Sequence, residues 1–555
     1  MPFPLFVLLS CVIAAATMAA AYALSSQRRN AAAAVALLGA FGLLVFHGPG
    51  YFNHFPVDDA FITFRYSKHL ADGLGPDWNS TGHVEGYSSF LWMVLLAALH
   101  KLGMDIEDAA RLLDYVTALG TMLAVIAIWR LWSRGQPGSG IDSPLVPAAT
   151  LLAIALVDGV AFWGFSGMET PLFMFTLTAG ALVYMRERRS NSLVPWSAVA
   201  FTAVAMSRPE VIVAAVVTGA FMLDGVQDAS TRRRTLLRVA AWAAVFGALF
   251  GAYFLWRYSY YGYLFPNTYY AKVEASTAII QRGADYLEAG TLSYQVLPMY
   301  AGIAALLLLA PRLRRDGAYI AALSAALFLT VIPEGGDAFG HGRFIVPVLP
   351  LLYLAGLSGF AAALARLSLE TAQRAVAAGA VAAIAALLLL RGSNNPYIPK
   401  DRAAQAQRET IGTWFSEYTP ADYTIAAWAV GSVAYHSDRD TLDLLGLNDE
   451  TIAHTKIEDF GLGIAGHERF NVDYVLEVVR PEIIVTGDGQ NAPYSSDDFW
   501  RLAAGGTTLP AKTAIMSDPR LPQLYTLRAI ELDGKWYNFL QRSDTVSQLH
   551  APGLR

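Results

Sequence analysis

The sequence predicts a polytopic α-helical membrane protein of about 11–12 spans followed by a mixed α/β domain. Three observations carry that prediction. The 555 residues are 55% hydrophobic and only 15% charged, whereas soluble domains carry about 25% charged residues. Apolar runs recur near 3–24, 31–47, 111–131, 145–164, 169–185, 194–206, 210–223, 239–257, 294–311, 317–332, 344–365 and 374–390, several of them near the roughly 18 residues that read as a spanning helix. After Arg391 the composition becomes that of a soluble domain, so the chain divides at 1–391 and 392–555.

Each element follows from local pattern. The first run, Phe3 to Leu24, lacks a positive start and is followed at once by a second run, so it reads as a retained helix rather than a cleaved signal. Ser207-Arg208-Pro209-Glu210 divides two short apolar runs at a polar break, which is tolerated at membrane depth only where protein or a cavity surrounds it. Beyond 392, Thr424–Val430 and Glu482–Val485 read as short buried strands bounded by turn signals. The lone cysteine, Cys11, allows no intramolecular disulfide. The net charge of -5 carries no footprint for nucleic acid, and abundant Ala with few Lys fits a GC-rich bacterial genome.

Arginine placement orients the spans. Arg28-Arg29, Arg186 to Arg189, Arg232 to Arg238 and Arg312 to Arg315 mark cytoplasmic loops, joined by Arg130 and Arg134. The loops 48–110, 164–170, 207–210, 258–293 and 333–343 then fall on the opposite, extracytoplasmic face with the C-terminal domain. The parity requires Phe90–Leu102 to lie beside the membrane or re-enter it without crossing. The expected location is a bacterial plasma membrane, multi-pass, with the site and the C-terminal domain on its outer side.

Most of the unusual polar residues fall on that one face. The first is the pair Asp58-Asp59 in Pro56-Val57-Asp58-Asp59-Ala60-Phe61-Ile62-Thr63-Phe64-Arg65-Tyr66, and carboxylates beside hydrocarbon are costly enough to suggest function. Asp58 as an N-cap of the helix running to Leu70 explains one of the two well and the other poorly. Glu85 and Tyr87, Glu169, Arg208 with Glu210, Asn267 with Lys272, and Glu334, Asp337, His341 and Arg343 complete the set. A transporter would place coupling residues near the midplane between related halves, and no internal repeat is visible. One-sided polarity under a soluble domain suits an enzyme acting on a lipid-linked substrate.

A polyprenyl-phosphate sugar needs three things, and the residue types supply them. Arg208, Lys272, His341 and Arg343 can bind the phosphate. Asp58 and Asp59 can act as base, nucleophile or electrostatic partner. Arg65, Glu85, Tyr87, Glu169, Glu210, Asn267 and Asp337 can hold sugar and acceptor. Structural alternatives stand beside these: Arg343 as a juxtamembrane anchor, His341 as part of a Gly340-His341-Gly342 turn, Glu169 as a helix start, and Tyr258–Tyr270 as an interfacial aromatic belt. No P-loop, dinucleotide fingerprint, zinc signature or Gly-x-Ser-x-Gly elbow is present.

The order of the double-Asp segment, Val84-Glu85-Gly86-Tyr87-Ser88, Ser207-Arg208-Pro209-Glu210, Pro266-Asn267-Thr268-Tyr269-Tyr270-Ala271-Lys272 and Gly335-Gly336-Asp337 ahead of Arg343-Phe344 resembles the GT-C membrane glycosyltransferases. Among them it is most similar to the actinobacterial terminal β-(1→2)-arabinofuranosyltransferases. The resemblance implies a decaprenyl-phosphoryl-arabinose donor and the nonreducing ends of arabinan, in arabinogalactan and lipoarabinomannan, as acceptor. It also implies net retention and a catalytic loop aspartate, here Asp58 with Asp59 as its positioning neighbour. A divalent cation held by the carboxylates is compatible with the set, although no spacing demands one. Two alternatives stand beside this reading: a GT-C transferase using another polyprenyl-phosphate sugar, and a transporter or flippase for the lipid-linked sugar, against which the one-sided polarity argues.

Overall fold

The computed structural model describes residues 1–25, 28–53, 55–190, 192–367, 390–395, 397–504 and 509–555. The run expected at 374–390 lies, apart from Leu390, outside the described residues. The other expected runs are helical. In chain order the helices are α1 (Phe3–Ser25), α2 (Arg29–Val45), α3 (Asp58–Asp72), α4 (Phe90–Lys101), α5 (Ile106–Ser133), α6 (Leu145–Leu156), α7 (Asp158–Trp163) and α8 (Thr170–Ser190). There follow α9 (Trp196–Ser207), α10 (Ile212–Met222), α11 (Ala229–Tyr261), α12 (Asn267–Lys272), α13 (Thr277–Ser293), α14 (Val296–Leu309), α15 (Arg314–Glu334) and α16 (Leu349–Arg366).

Among the described residues six segments are long and apolar enough to cross a membrane: α1, α2 with its π-helical continuation to Phe52, α5, α11, and α15 and α16 with the short turns that precede them. A seventh arises if α13 and α14, bent by 69° at their junction, count as one span. The remaining apolar helices, α4, α6, α9 and α10, are shorter. The 12-residue α4 would reach only about 18 Å at 1.5 Å per residue, well short of a hydrocarbon core of about 30 Å. Between α9 and α10 the break falls at Arg208, which is extended (φ -158°, ψ 135°) before a tight turn at Pro209–Val211. Proline without an N–H, following a residue barred from helical angles, stops α9 there.

The C-terminal domain is mixed α/β. It opens with α17 (Tyr397–Tyr418), and its sheet has the order β2-β1-β3-β5-β4, with β1 (Thr424–Ala427), β2 (Asp440–Asp443), β3 (Ile483–Val485), β4 (Tyr525–Leu532) and β5 (Lys535–Arg542). β1 lies parallel to β2 and β3, while β5 runs antiparallel to β3 and to β4. The two strands expected from the sequence are β1 and β3, which pair side by side. The crossover from β1 to β2 contains α18 (Val430–Ser437), as a parallel connection requires.

Helix α3 seats this domain on the membrane part, packed between α4 and α18. Arg65 fastens the seat. Its guanidinium is buried and donates to three backbone carbonyls, Trp78 at 2.7 Å, Ala434 at 2.5 Å and Arg439 at 2.8 Å. Nε, Nη1 and Nη2 are all engaged, so Arg65, expected to bind sugar, clamps α3 to the C-terminal domain.

Candidate active site at the domain junction

Helix α3 begins at Asp58, and Val57 in extended conformation occupies the N-cap position without a side-chain cap. The capping role considered for Asp58 is thus corrected. Its carboxylate reaches out of the helix: Oδ2 accepts from the Gly431 N–H at 3.0 Å and Oδ1 from the Ser432 N–H at 3.2 Å, both at the start of α18. Arg408 of α17 stands 3.8 Å from Oδ1 and is itself held by Asp488. Each carboxylate oxygen has a second acceptor position, so Asp58 is oriented without being saturated. Burial pushes its pKa above the ordinary aspartate value, against the pull of Arg408 and the two amides.

Asp59, in the same first turn, makes no hydrogen bond or ion pair among the described residues. Its neighbours are cations: Asp59 is the strongest charge acting to keep Lys272 protonated, and it also stabilises the Arg343 guanidinium. Lys272 ends α12 and likewise has no hydrogen-bond or ion-pair partner among the described residues. Burial lowers its pKa.

Two arginines complete the floor and share one aromatic ring. The Phe344 ring centroid lies 4.3 Å from the Arg208 Cζ and 5.3 Å from the Arg343 Cζ. Arg208 pairs with Glu169 at 3.1 Å and with Glu210. Arg343 donates from Nη2 to Asp337 Oδ1 at 2.9 Å, and its Nε lies 2.9 Å from Oδ2. Arg343 is only 4% exposed and stacks also on Trp163 and Phe339, so the anchor reading for it is corrected: a snorkelling side chain ends in solvent. Glu169 does precede α8, as a helix start, and takes Arg208 as well.

The loop carrying Glu169 reaches α3 through Gly167. Its φ is 75°, and a Cβ there would sit 3.0 Å from Phe64 and 3.2 Å from Ala60 of α3, so glycine permits both the turn and the close approach. Ser166 accepts the Val57 N–H at 3.1 Å and Gly167 accepts from Trp92 at 3.0 Å. The carboxylate pair and the arginine floor are thereby fixed relative to each other.

Four expected site residues have other partners. His341, expected at the phosphate, pairs through Nδ1 with Asp158 at 2.5 Å and lies 3.1 Å from Asn395 through Nε2, with Phe162 stacked on its ring. Glu85 is buried against Arg257, Nε to Oε1 at 2.9 Å and Nη2 to Oε2 at 2.6 Å. Burial raises the Glu85 pKa to about 7, opposed by that arginine. Tyr87 shares a hydrogen bond with Tyr261 at 3.1 Å, and Asn267 donates to the carbonyls of Gly446, Leu447 and Asp449. Glu85 and Tyr87, expected to bind sugar, tie the loop after α3 to α11, while Asn267 ties α12 to the C-terminal domain. The Tyr258–Tyr270 region divides, with Tyr258, Phe265 and Tyr269 exposed and Tyr261 buried.

Among the described residues no three carboxylate, histidine or cysteine side chains converge into a metal-binding set. The sequence reading missed Arg257, Arg408, Gly431 and Asp158. Only Arg257 left a signal, as an arginine closing the apolar run of α11; Arg408 and Gly431 act across the domain junction, and Asp158 pairs with the distant His341 within the membrane part.

A family described as Domain of unknown function (DUF8728) matches residues 396–539. A terminal beta-(1->2)-arabinofuranosyltransferase of Mycobacterium tuberculosis (strain ATCC 25618 / H37Rv) is 32% identical over 227 residues, 39% of this chain and 34% of that protein. The protein of the same name from Corynebacterium glutamicum is 28% identical over 337 residues, 52% of this chain and 46% of that protein. The matched regions thus span about a third and about half of these curated relatives. Crystal structures of ArnT from Cupriavidus metallidurans superpose over nearly the whole chain. The form bound to undecaprenyl phosphate gives a TM-score of 0.54 at 14% identity, covering 92% of this chain and 97% of that one. The apo form gives 0.52 at 15%, covering 94% and 98%. At such identity the likeness speaks to fold, and the fold is of the GT-C type: a multi-pass membrane protein carrying a C-terminal domain with a small mixed sheet.

Proposed function

We propose that this protein is a glycosyltransferase that moves arabinofuranose from decaprenyl-phosphoryl-arabinose to the nonreducing ends of cell-wall arabinan, forming terminal β-(1→2) linkages on the extracytoplasmic face. The observation that carries the reading is the division of labour within the carboxylate pair. Asp58 bonds to the C-terminal domain, and the charge of Asp59 acts on Lys272 and Arg343.

The donor phosphate is received by Lys272, which among the described residues has no paired carboxylate, with Arg343 as a second cation; a fixed positive site is what an anionic leaving group needs. The acceptor approaches along the junction of α3 and α18. Asp58 takes the proton of the acceptor hydroxyl, the new C–O bond forms at the anomeric carbon, and the bond to the phosphate oxygen breaks, leaving the polyprenyl phosphate with the electron pair. A raised carboxylate pKa suits a general base. Consecutive residues presenting base and phosphate site support displacement from one face, which retains configuration.

The test uses purified protein in detergent with decaprenyl-phosphoryl-arabinose, competing polyprenyl-phosphate sugars and a short arabinan acceptor. Transfer of arabinose with a β-(1→2) linkage by NMR is expected. Transfer of a different sugar would identify another donor, and donor binding or movement between leaflets without transfer would identify a flippase.

A further inference from the structure

We propose that the segment Gly461-Leu462-Gly463-Ile464-Ala465-Gly466 of the C-terminal domain is a membrane-docking loop that seats Leu462 and Ile464 in the lipid surface beside α13. Leu462 is 74% exposed and Ile464 45%. Isolated apolar side chains on a surface mean little, but these two are displayed on a fixed frame. The Glu468 carboxylate accepts from the N–H groups of Gly461 at 2.7 Å and Gly463 at 2.8 Å, and from Arg282 of α13 at 2.9 Å. Arg282 also donates to the Gly463 carbonyl at 3.0 Å and the Gly335 carbonyl at 2.9 Å.

The frame lies directly on α13. Gly461 has φ 102°, and a Cβ there would stand 3.1 Å from Ala278 Cβ and from Ile279 Cδ1. One residue further on, Ile280 is 53% exposed. Helix α13 then turns through 69° into the apolar α14. Leu462, Ile464 and Ile280 therefore extend an apolar surface that continues into a candidate membrane span. An apolar edge beside a polar body is how a peripheral segment enters the headgroup boundary, and the bilayer is the occupant this continuity selects. At its other end the loop rests on Lys272, where a Cβ at Gly466 would lie 3.0 Å from Cε. Lipid contact and the cation proposed for phosphate binding share one short segment, although docking itself does not depend on the transferase reading.

The sequence has a single cysteine, Cys11, which makes a site-specific probe simple. In the Cys11→Ala background, full-length protein carrying Leu462→Cys or Ile464→Cys is labelled with an environment-sensitive fluorophore and placed in phospholipid nanodiscs. Leu502→Cys, at a position 56% exposed elsewhere in the same domain, is the reference. Blue-shifted emission at 462 and 464, quenched by brominated lipid and shielded from aqueous iodide, is expected, with the opposite behaviour at 502. Labels at 462 and 464 that match 502 would overturn the proposal. Two independent positions guard against failure of either variant, and neither readout requires catalysis.

Discussion

Gly431 donates its backbone N–H to Asp58 Oδ2 at 3.0 Å, and this bond joins the first turn of α3 to the first turn of α18. A Cβ at Gly431 would collide with the Asp58 carbonyl oxygen. The C-terminal domain is therefore part of the carboxylate centre, because two of its amides and Arg408 set the direction of Asp58.

Gly431→Ala should separate the two surfaces. Overpacking of this kind costs about 1–3 kcal/mol, and here the contact that yields is the one orienting Asp58. Faster hydrogen exchange in β1 and α18 together with reduced turnover is the expected result, read by exchange mass spectrometry alongside the transfer assay. Unchanged exchange and turnover would show that the junction tolerates the methyl group.

The pH profile of kcat/KM should be narrower than free side chains would give. Asp58 must be ionised to act, and burial raises its pKa, so the acid limb lies above the ordinary aspartate value. Lys272 must be protonated to hold phosphate, and burial lowers its pKa, so the alkaline limb lies below the ordinary lysine value. Lys272→Arg should move the alkaline limb upward while retaining measurable donor binding, since a guanidinium stays charged throughout the range.

Glu85 and Arg257 should behave as a structural pair. Arg257→Leu leaves a buried carboxylate without its partner and should cost about 3–5 kcal/mol, seen as a lower thermal midpoint in detergent. The sign of the pH dependence follows from Glu85, whose pKa is raised from 4.5 to about 7 in the folded protein. The folded state holds that proton more tightly, so the stability contribution is complete below pH 4.5 and is lost as pH rises through about 7. Glu85→Gln should remove that pH dependence, and a change confined to acceptor KM would contradict this structural role.

Local signals in the sequence anticipated much of this architecture. Most helices of the membrane part, the polar break at Arg208 and the strands β1 and β3 follow from apolar length, proline and β-branched residues, which act within a few positions of themselves; α12 and α13 fall in 258–293, which reads as a loop because it has no sustained apolar run. The pairings of the polar residues did not follow, because they join distant segments. Arg65 looks like a site residue until its carbonyl partners at 78, 434 and 439 are visible. The pairing of His341 with Asp158, 183 residues away, is likewise invisible in the sequence. Buried charges are paired for solvation reasons alone, so residue type could nominate the polar cluster but could not separate its structural pairs from Lys272, which has no pair among the described residues.

The most direct test compares Asp58→Asn with Asp59→Asn in single-turnover transfer and in donor binding. Replacing a general base should lower turnover by about 10²–10⁴-fold with little change in donor affinity, so Asp58→Asn is expected to bind donor and fail to transfer. Asp59→Asn is expected to alter donor binding instead, through Lys272 and Arg343. Near-normal turnover in Asp58→Asn, with the loss falling on Asp59→Asn, would contradict the account and move the chemistry to the second carboxylate.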